Sequence, residues 1–289
     1  MRAASGSDAG SLIGLLILPC AILFALFFVL PIGLMAVMSV LTGNPVVEED
    51  VTFTASHYAR FAGDWYNWEV LWATLRIGLW TTVAALLIGY PIAHLMARVH
   101  SRALHAILLM AVLTPMLTGI VVRTFAWMTL LADNGVINQT LAALGWIESP
   151  LPLMYNEFGI VVGLTHIFIP YMVLTLTGVI GRIDSGLEQA AVSLGASPFR
   201  AFLEVTLPLS LPGIVAGSLL VFSLAISSYV TPILMGGFQV TTLPVMIYQQ
   251  VSSSFNVSYA AALGMILLTI SLILVAAYNR ALVSVTRRK

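Results

Sequence analysis

Charged residues are scarce in this sequence: Asp, Glu, Lys and Arg together make up 8% of its 289 residues. A soluble globular domain carries about 25% charged residues, so this scarcity argues against one. The formal net charge is zero, which leaves no basic excess that would indicate nucleic-acid binding. Apolar residues account for 60% of the chain, as is typical of a protein that crosses a membrane several times.

Cysteine is nearly absent, and this limits the chemistry that the chain can support. Cys20 is the one cysteine, so the chain has no intrachain disulfide and no metal cluster held by several thiolates. The sequence also lacks the G-x-x-x-x-G-K-[ST] loop that cradles nucleotide phosphates, and the H-E-x-x-H motif of zinc proteases. We therefore expect no catalytic residues, no metal and no cofactor of its own.

Long hydrophobic runs are what the sequence has instead. A membrane-spanning helix needs about 20 apolar residues, and backbone groups in lipid must find their partners within the segment. The first run is too long for the apolar core of a signal peptide, so we interpret it as a retained span. Six helical spans are predicted, at residues 12–40, 70–97, 104–131, 158–180, 211–235 and 260–283. We expect one transmembrane domain over residues 1–289.

The arginines and the lysine predict how these spans are oriented. If the N-terminus is cytoplasmic, nine basic residues lie on the inside and only Arg60 lies in an outer loop. This bias follows the positive-inside rule and places both termini in the cytoplasm. The outer loops at 42–69 and 132–157 are polar, and the second contains the turn signal Asp133-Asn134-Gly135 and a short apolar stretch typical of an interfacial helix.

A cytoplasmic loop between spans four and five carries strong helix signals, in LEQAAVSLGASPFRAFLEVTLPLSLPG at residues 187–213. Ser185 and Glu188 fit a capping box at the start of a first short helix. Gly195 is placed to end that helix in the left-handed conformation. Ser197 and Pro198 then fit the start of a second short helix.

The second short helix has a possible ion pair and two candidate stop signals. Arg200 and Glu204 lie four residues apart and can form a salt bridge. Pro208 and Pro212 are predicted to end the helix and to turn the chain back toward the membrane. From pattern alone the loop is either an amphipathic helix lying on lipid headgroups or a segment that packs into a groove of another protein.

This loop resembles the EAA motif of binding-protein-dependent ABC importer permeases, in which E-A-A, three residues, G, nine residues and I-x-L-P follow one another. Gln189-Ala190-Ala191, Gly195 and Val205-Thr206-Leu207-Pro208 occur here at that spacing. Gln189 replaces the family's glutamate, Glu188 lies one residue earlier, and Val205 replaces an isoleucine. LTPMLTGIVVRTFAWMTLLADNGVINQTL, LIGYPIAH and PGIVAGSLLVF resemble the permeases of the spermidine/putrescine type, and the likeness covers residues 70–285.

The resemblance implies a permease of the bacterial inner membrane with the type I importer fold, in which the motif forms a helix that couples transport to a partner ATPase. The expected partners are a dimeric ATP-binding cassette ATPase that binds the ATP, a second homologous permease subunit and a periplasmic solute-binding protein. The outer loops would dock that binding protein. The implied solute is a polyamine or another small organic molecule. The residues implied in coupling are Glu188, Gln189, Ala190, Ala191, Gly195, Arg200, Glu204 and Pro208.

Polar residues within the spans are candidates for the solute path, because buried ionisable groups in a membrane are costly. Arg123 either lines that path or ties spans together through a salt bridge or a carbonyl. Trp127 offers a cation–π face or simply packs, and His166 is a hydrogen-bonded helix residue or a proton relay. Asp133 is suited to an ammonium group. Ser227 and Tyr229 belong to a polar patch that either borders the path or holds helices together.

Two other classes of protein remain as alternatives. A stand-alone ion-coupled carrier would need acidic residues in the middle of its spans and internal repeats, and we find neither in the sequence. An intramembrane enzyme would need a metal motif, paired aspartates or a serine–histidine nucleophile, and none is apparent.

Overall fold

A computed structural model describes residues 18–43 and 51–286 of the chain. Over these residues the fold is helical, and a single antiparallel bridge joins Leu41 and Phe53. The helices are α1 Leu18–Met38, α2 Ser56–Gly63, α3 Trp65–Arg98, α4 Arg102–Leu117, α5 Ile120–Leu131, α6 Val136–Ala143, α7 Glu157–Ile180, α8 Ser185–Ser193, α9 Pro198–Ser227, α10 Val230–Gly236, α11 Leu243–Ser252 and α12 Val257–Thr286.

Six stretches of the described chain are long and apolar enough to cross a membrane, which confirms the predicted fold class. They are Leu18–Met38, Trp65–Arg98, Ile120–Ala143, Glu157–Ile180, Pro198–Ser227 and Val257–Tyr278. The predicted outer turn at residues 133–135 separates α5 from α6, and α6 is the short helix predicted to follow it. The first six residues of the predicted first span, 12–17, lie outside the described residues.

The prediction of one continuous helix over residues 104–131 is wrong. The chain leaves the helix at Thr118 and Gly119, whose ψ angles of 135° and 144° are extended, so that α4 and α5 are separate. Pro115 lies in the last turn of α4 and has no backbone N–H to continue the ladder. At 16 residues, α4 is too short to span a bilayer without help.

The contacts divide the chain into two compact units. One combines the chain up to the first residue of α3 with residues 247–276. Within it, the ring Nε2 of His57 lies 2.9 Å from the carbonyl oxygen of Leu41. The guanidinium of Arg60 lies 4.4 Å from the ring centroid of Tyr259. These contacts hold α2 against the end of α1 and the start of α12.

The other unit covers residues 66–246 together with the end of α12, and it holds the candidate site. Its core is α7, where Ile160, Leu164, Met172 and Leu176 are fully buried. The main neighbour of α7 is α9.

Two glycines on α9 permit this close packing. A Cβ at Gly213 would lie 2.8 Å from Cβ of Val179, and one at Gly217 would lie 2.8 Å from Sδ of Met172. The two glycines are four residues apart and therefore share one face of α9. Small residues at this spacing let helices approach closely in a membrane, where lipid offers no hydrophobic driving force for association.

Candidate functional site

The first helix of the predicted coupling loop begins with an aspartate cap. The predicted capping box of Ser185 and Glu188 is wrong, because the side chain of Asp184 accepts a hydrogen bond from the amide of Gly186 at 2.8 Å. An aspartate at this position satisfies an orphan amide as well as a serine does. The cap releases Glu188 from the helix terminus, and its carboxylate contacts other parts of the chain.

Gly195 ends α8 as predicted, in the left-handed conformation with a φ of +94°. The amide of Ala196 donates to the carbonyl of Ala191 at 3.1 Å, and the amide of Gly195 donates to that of Val192 at 2.9 Å. These two bonds form the Schellman motif, which satisfies the last carbonyls of a helix. The chain turns sharply at this point into the next helix.

Ser197 caps that next helix as predicted, by accepting a hydrogen bond from the amide of Arg200 at 3.3 Å, with Pro198 in its first turn. Arg200 and Glu204 form the predicted ion pair, with Nε and Oε1 2.8 Å apart. Both side chains are exposed, so the pair contributes little to stability.

The prediction that Pro208 and Pro212 end this helix is wrong. The helix runs without a break from Pro198 to Ser227, and a π-helical turn at Phe202–Thr206 precedes both prolines. A π turn shifts the hydrogen-bond register by one residue and commonly marks functional positions. The second short helix and the fifth span are therefore one rod, so a displacement at Pro198 carries directly into the span.

Glu188 faces inward and binds two residues that the sequence did not single out. Nη2 of Arg98 donates to its Oε1 at 2.5 Å, and the hydroxyl of Thr206 donates to the same oxygen. Burial by itself raises the pKa of the Glu188 carboxyl, but the hydrogen bonds from Thr206 and Arg98 and the positive charge of Arg98 outweigh it, so its pKa lies below the ordinary value. Arg98 lies 90 residues away, a separation over which no local pattern predicts contact.

The rest of residues 185–200, which we call the α8 segment, presents most of its side chains outward. Gln189 and Ala190 are exposed, and Ala191 is half-buried. Large apolar side chains here are exposed as well, including Leu194 at 89% and Phe199 at 70%. An apolar surface of this kind on a polar-flanked helix is typical of a protein–protein contact. A groove beside it is lined by Glu188, Gln189, Val192, Ser193, Pro198 and Ala201.

Three of the predicted solute-path residues lie together between α5 and α7. The rings of Trp127 and His166 meet edge to face, with their centroids 5.6 Å apart. Buried atoms of the same cluster have no hydrogen-bond partner among the described residues: Nε and Nη1 of Arg123 and Nδ1 of His166. The salt bridge or carbonyl contact suggested for Arg123 is therefore not made by those two nitrogens.

The other predicted path residues lie on other parts of the chain. Asp133 lies in the turn after α5, ten residues beyond Arg123, which is about 15 Å along a helix. Ser227 is the last residue of α9, and Tyr229 lies in the break before α10. Nearby, the hydroxyls of Thr124 and Thr231 lie 3.0 Å apart and join α5 to α10.

A family model described as the binding-protein-dependent transport system inner membrane component matches residues 85–284. The chain belongs to this family. It is therefore a multi-pass protein of the bacterial inner membrane and a permease subunit of a binding-protein-dependent importer, which confirms the resemblance found in the sequence. The match includes the whole of α8 and α9.

Curated relatives of this permease align over most of its length. The spermidine/putrescine transport system permease protein PotB of Haemophilus influenzae is 31% identical over 264 residues, covering 90% of this chain and 92% of that protein. The protein of the same description from Escherichia coli is 34% identical over 212 residues, covering 73% of this chain and 76% of that one.

Solved structures share the fold of the permease. A chain of a bacterial ABC transporter involved in the import of the acidic polysaccharide alginate superposes with a TM-score of 0.73 at 18% identity, covering 95% of this chain and 96% of that one. A chain of the MetNI methionine ABC transporter, in an inward-facing conformation, superposes with a TM-score of 0.58 at 19% identity, covering 76% and 96%.

Proposed function

We propose that this permease imports a polyamine such as putrescine or spermidine, from the periplasm to the cytoplasm. The observation that carries the proposal is the alignment with permeases described as serving spermidine and putrescine, at 31% identity over 90% of the chain and 34% over 73%. The matched region of the family begins within α3 and takes in α4 to α11 and nearly all of α12, and with them the coupling loop.

The α8 segment docks on a partner ATPase. Gln189, Ala190 and Ala191 form its small outward surface, and Leu194 and Phe199 supply exposed apolar contact area. Gly195 forms the sharp turn, or elbow, between α8 and α9, and Arg200 and Glu204 form an ion pair near the start of α9. Pro208 lies just beyond the π turn, within the rod that enters the membrane. Glu188 acts differently, because its carboxylate is engaged within the chain.

ATP is bound and hydrolysed by that partner, and the permease contributes no catalytic residue and no cofactor. The sequence has no phosphate-cradling loop, so energy must reach the spans mechanically, as a rigid-body displacement of α8 and α9. A second homologous permease completes the pore. A periplasmic binding protein delivers the solute to the loops at 42–69 and 132–157. These loops therefore face the periplasm, and both termini of the chain are cytoplasmic.

Uptake into proteoliposomes tests this function. The permease, purified with the ATPase and second permease that accompany it, is reconstituted with its binding protein outside and ATP inside. Labelled putrescine should accumulate only with ATP present, and a variant ATPase that binds but cannot hydrolyse ATP should stop it. The permease alone should hydrolyse no ATP. Accumulation driven by a proton or sodium gradient without ATP would instead favour an ion-coupled carrier.

One observation favours a second candidate, a small solute that carries an anionic group. The buried nitrogens of Arg123 without partners are suited to a carboxylate, whereas a polyamine would be repelled by the guanidinium. Competition in the same uptake assay separates the two. Excess spermidine should block putrescine uptake if the solute is a polyamine. Inhibition by a γ-amino acid, which carries a carboxylate, and not by spermidine would favour the solute with an anionic group.

A further inference from the structure

Three side chains on the C-terminal half of α3 face the coupling loop. Tyr90, His94 and Arg98 lie four residues apart and therefore share one face of the helix. The contacts along this face begin with Tyr90, whose hydroxyl lies 2.8 Å from Oγ of Ser210 on α9. This face of α3 therefore contacts α9, the helix that runs from the coupling loop into the membrane.

An aromatic contact lies in the middle of this face. Phe202, the first residue of the π turn, packs edge-on against the ring of Tyr90 at 5.7 Å and against that of His94 at 5.5 Å. A ring held from two sides fixes the π turn against α3. Edge-to-face pairs contribute beyond their buried area, so the arrangement is directional as well as apolar.

Arg98 completes the face with polar bonds. Nη1 donates to the carbonyl oxygen of Ile183 at 2.9 Å, just before α8, and Nη2 donates to Glu188 at 2.5 Å. The hydroxyl of Thr206, fully buried at the end of the π turn, donates to the same carboxylate oxygen. One carboxylate on α8 therefore joins α3 to α9, and its bonds are charge-assisted and partly shielded from solvent.

We propose that Arg98 and Glu188 are positioning residues that make α3 move together with the coupling loop. The proposal rests on the proposed coupling function, and it extends the path of the displacement from α9 to α3. The pair adds a direct link from α8 to α3, beside the packing of α8 against the π turn of α9. The rigid contact between α8, the π turn and α3 lets one displacement at the loop reorient two spans at once.

Neutral variants of the pair test the proposal in the complete transporter, with putrescine as the probe. In Glu188→Gln and in Arg98→Gln, the ATPase should still purify with the permease, so that uptake and ATP hydrolysis are measured on the same complex. Uptake of putrescine per ATP hydrolysed should fall about tenfold, because each variant removes one of the two charges that strengthen the bond between α3 and α8. A role in folding alone would lower uptake and hydrolysis in parallel, with the ratio unchanged.

A charge exchange and a matched control sharpen the result. The double variant Arg98→Glu with Glu188→Arg should recover part of the lost ratio, because it restores opposite charges at the same positions. Arg182→Gln removes the same charge from an exposed residue that lies between α7 and α8, and the ratio should stay at the wild-type value. A double variant no better than either single one would overturn the pairing.

A measurement without solute or ATP separates the failure of this inference from the failure of the proposed function. Amide hydrogen exchange on the full-length permease in detergent should be faster over residues 185–193 in Glu188→Gln than in wild type. Unchanged exchange, an unchanged uptake ratio, or loss of the bound ATPase in Glu188→Gln would each overturn the inference, the last because Glu188 would then be a docking contact. If wild-type permease shows no ATP-driven uptake, the proposed function fails, and the exchange experiment still decides whether the pair holds α8.

Discussion

The coupling loop and the polar cluster between α5 and α7 differ in whether their charged side chains have partners within the chain. In the loop, the Glu188 carboxylate accepts bonds from Arg98 and Thr206, and Arg200 pairs with Glu204. In the cluster, two guanidinium nitrogens of Arg123 are buried without a partner among the described residues. Buried polar groups normally find partners, and a native exception calls for an explanation. Nε of Arg98 beside the loop also lacks a partner among the described residues, but both terminal nitrogens of that guanidinium are bonded within the chain. The cluster, with two such nitrogens on Arg123, is therefore the better suited of the two to a group from outside the chain.

The largest effect is expected at the elbow of the loop. Gly195→Val should abolish uptake while membrane insertion stays normal, because a β-branched residue is strained at a φ of +94°. A Cβ there would meet nothing within 4 Å, so the cost is conformational and not steric. Gly195→Asn should retain a larger share of uptake, since asparagine tolerates this conformation. Equal uptake by the two variants would show that the backbone angle is irrelevant to coupling.

Arg123→Met should separate stability from transport. The isolated permease should unfold at the same temperature as wild type or at a higher one. Its free energy of unfolding should rise by up to about 2 kcal/mol, because the variant no longer buries donors without partners. Uptake of a solute with an anionic group, the second candidate, should nevertheless fall, because the variant loses the guanidinium that would bind that group. Thermal unfolding in detergent and uptake in proteoliposomes measure the two effects. Arg98→Met is the matched comparison and should lower the unfolding temperature.

Acid should weaken the loop selectively. The pKa of Glu188 in the folded protein lies below its ordinary value of 4.5, so its stabilising contribution is fully present above that value and is lost as the pH falls through the folded pKa. The difference in unfolding temperature between wild type and Glu188→Gln should therefore be constant from pH 7 to about pH 5 and should shrink below 4.5. A difference that grew on acidification would contradict the assignment of the pair.

The smallest effect is expected at the exposed pair of the loop. Arg200→Ala should leave the unfolding temperature of the permease unchanged within error, because solvent and salt screen an ion pair in which both side chains are more than half exposed. A fall in ATPase binding without a change in stability would then mark Arg200 as a contact with the partner. Copurification at two salt concentrations measures this.

Local features were predictable because they depend on neighbouring residues alone. Gly195, the Ser197 cap and the Arg200–Glu204 pair all involve groups within four residues of one another. The errors arose where two local signals competed. Asp184 and Ser185 are both good caps, and the sequence does not say which of them adopts the extended conformation.

Proline was the other source of error. Pro208 was expected to stop a helix, but a π turn before it absorbs the missing backbone bond and the helix continues. Conversely, the break between α4 and α5 at Thr118 and Gly119 lies within an apolar run, where Pro115 and Gly119 were the only local signals that could have indicated it. Hydropathy measures how apolar a segment is, and it contains little information about the conformation of the backbone.

The sequence by itself determined the class of the protein, the number of its spans and the family to which it belongs. These follow from the scarcity of charge, the length of apolar runs and the spacing of one motif, all of which are properties of composition and short-range order. Only the tertiary structure decided where Glu188 points and that two nitrogens of Arg123 are buried without a partner among the residues described. Such contacts join residues far apart in the chain, and their geometry is set by how closely the helices pack.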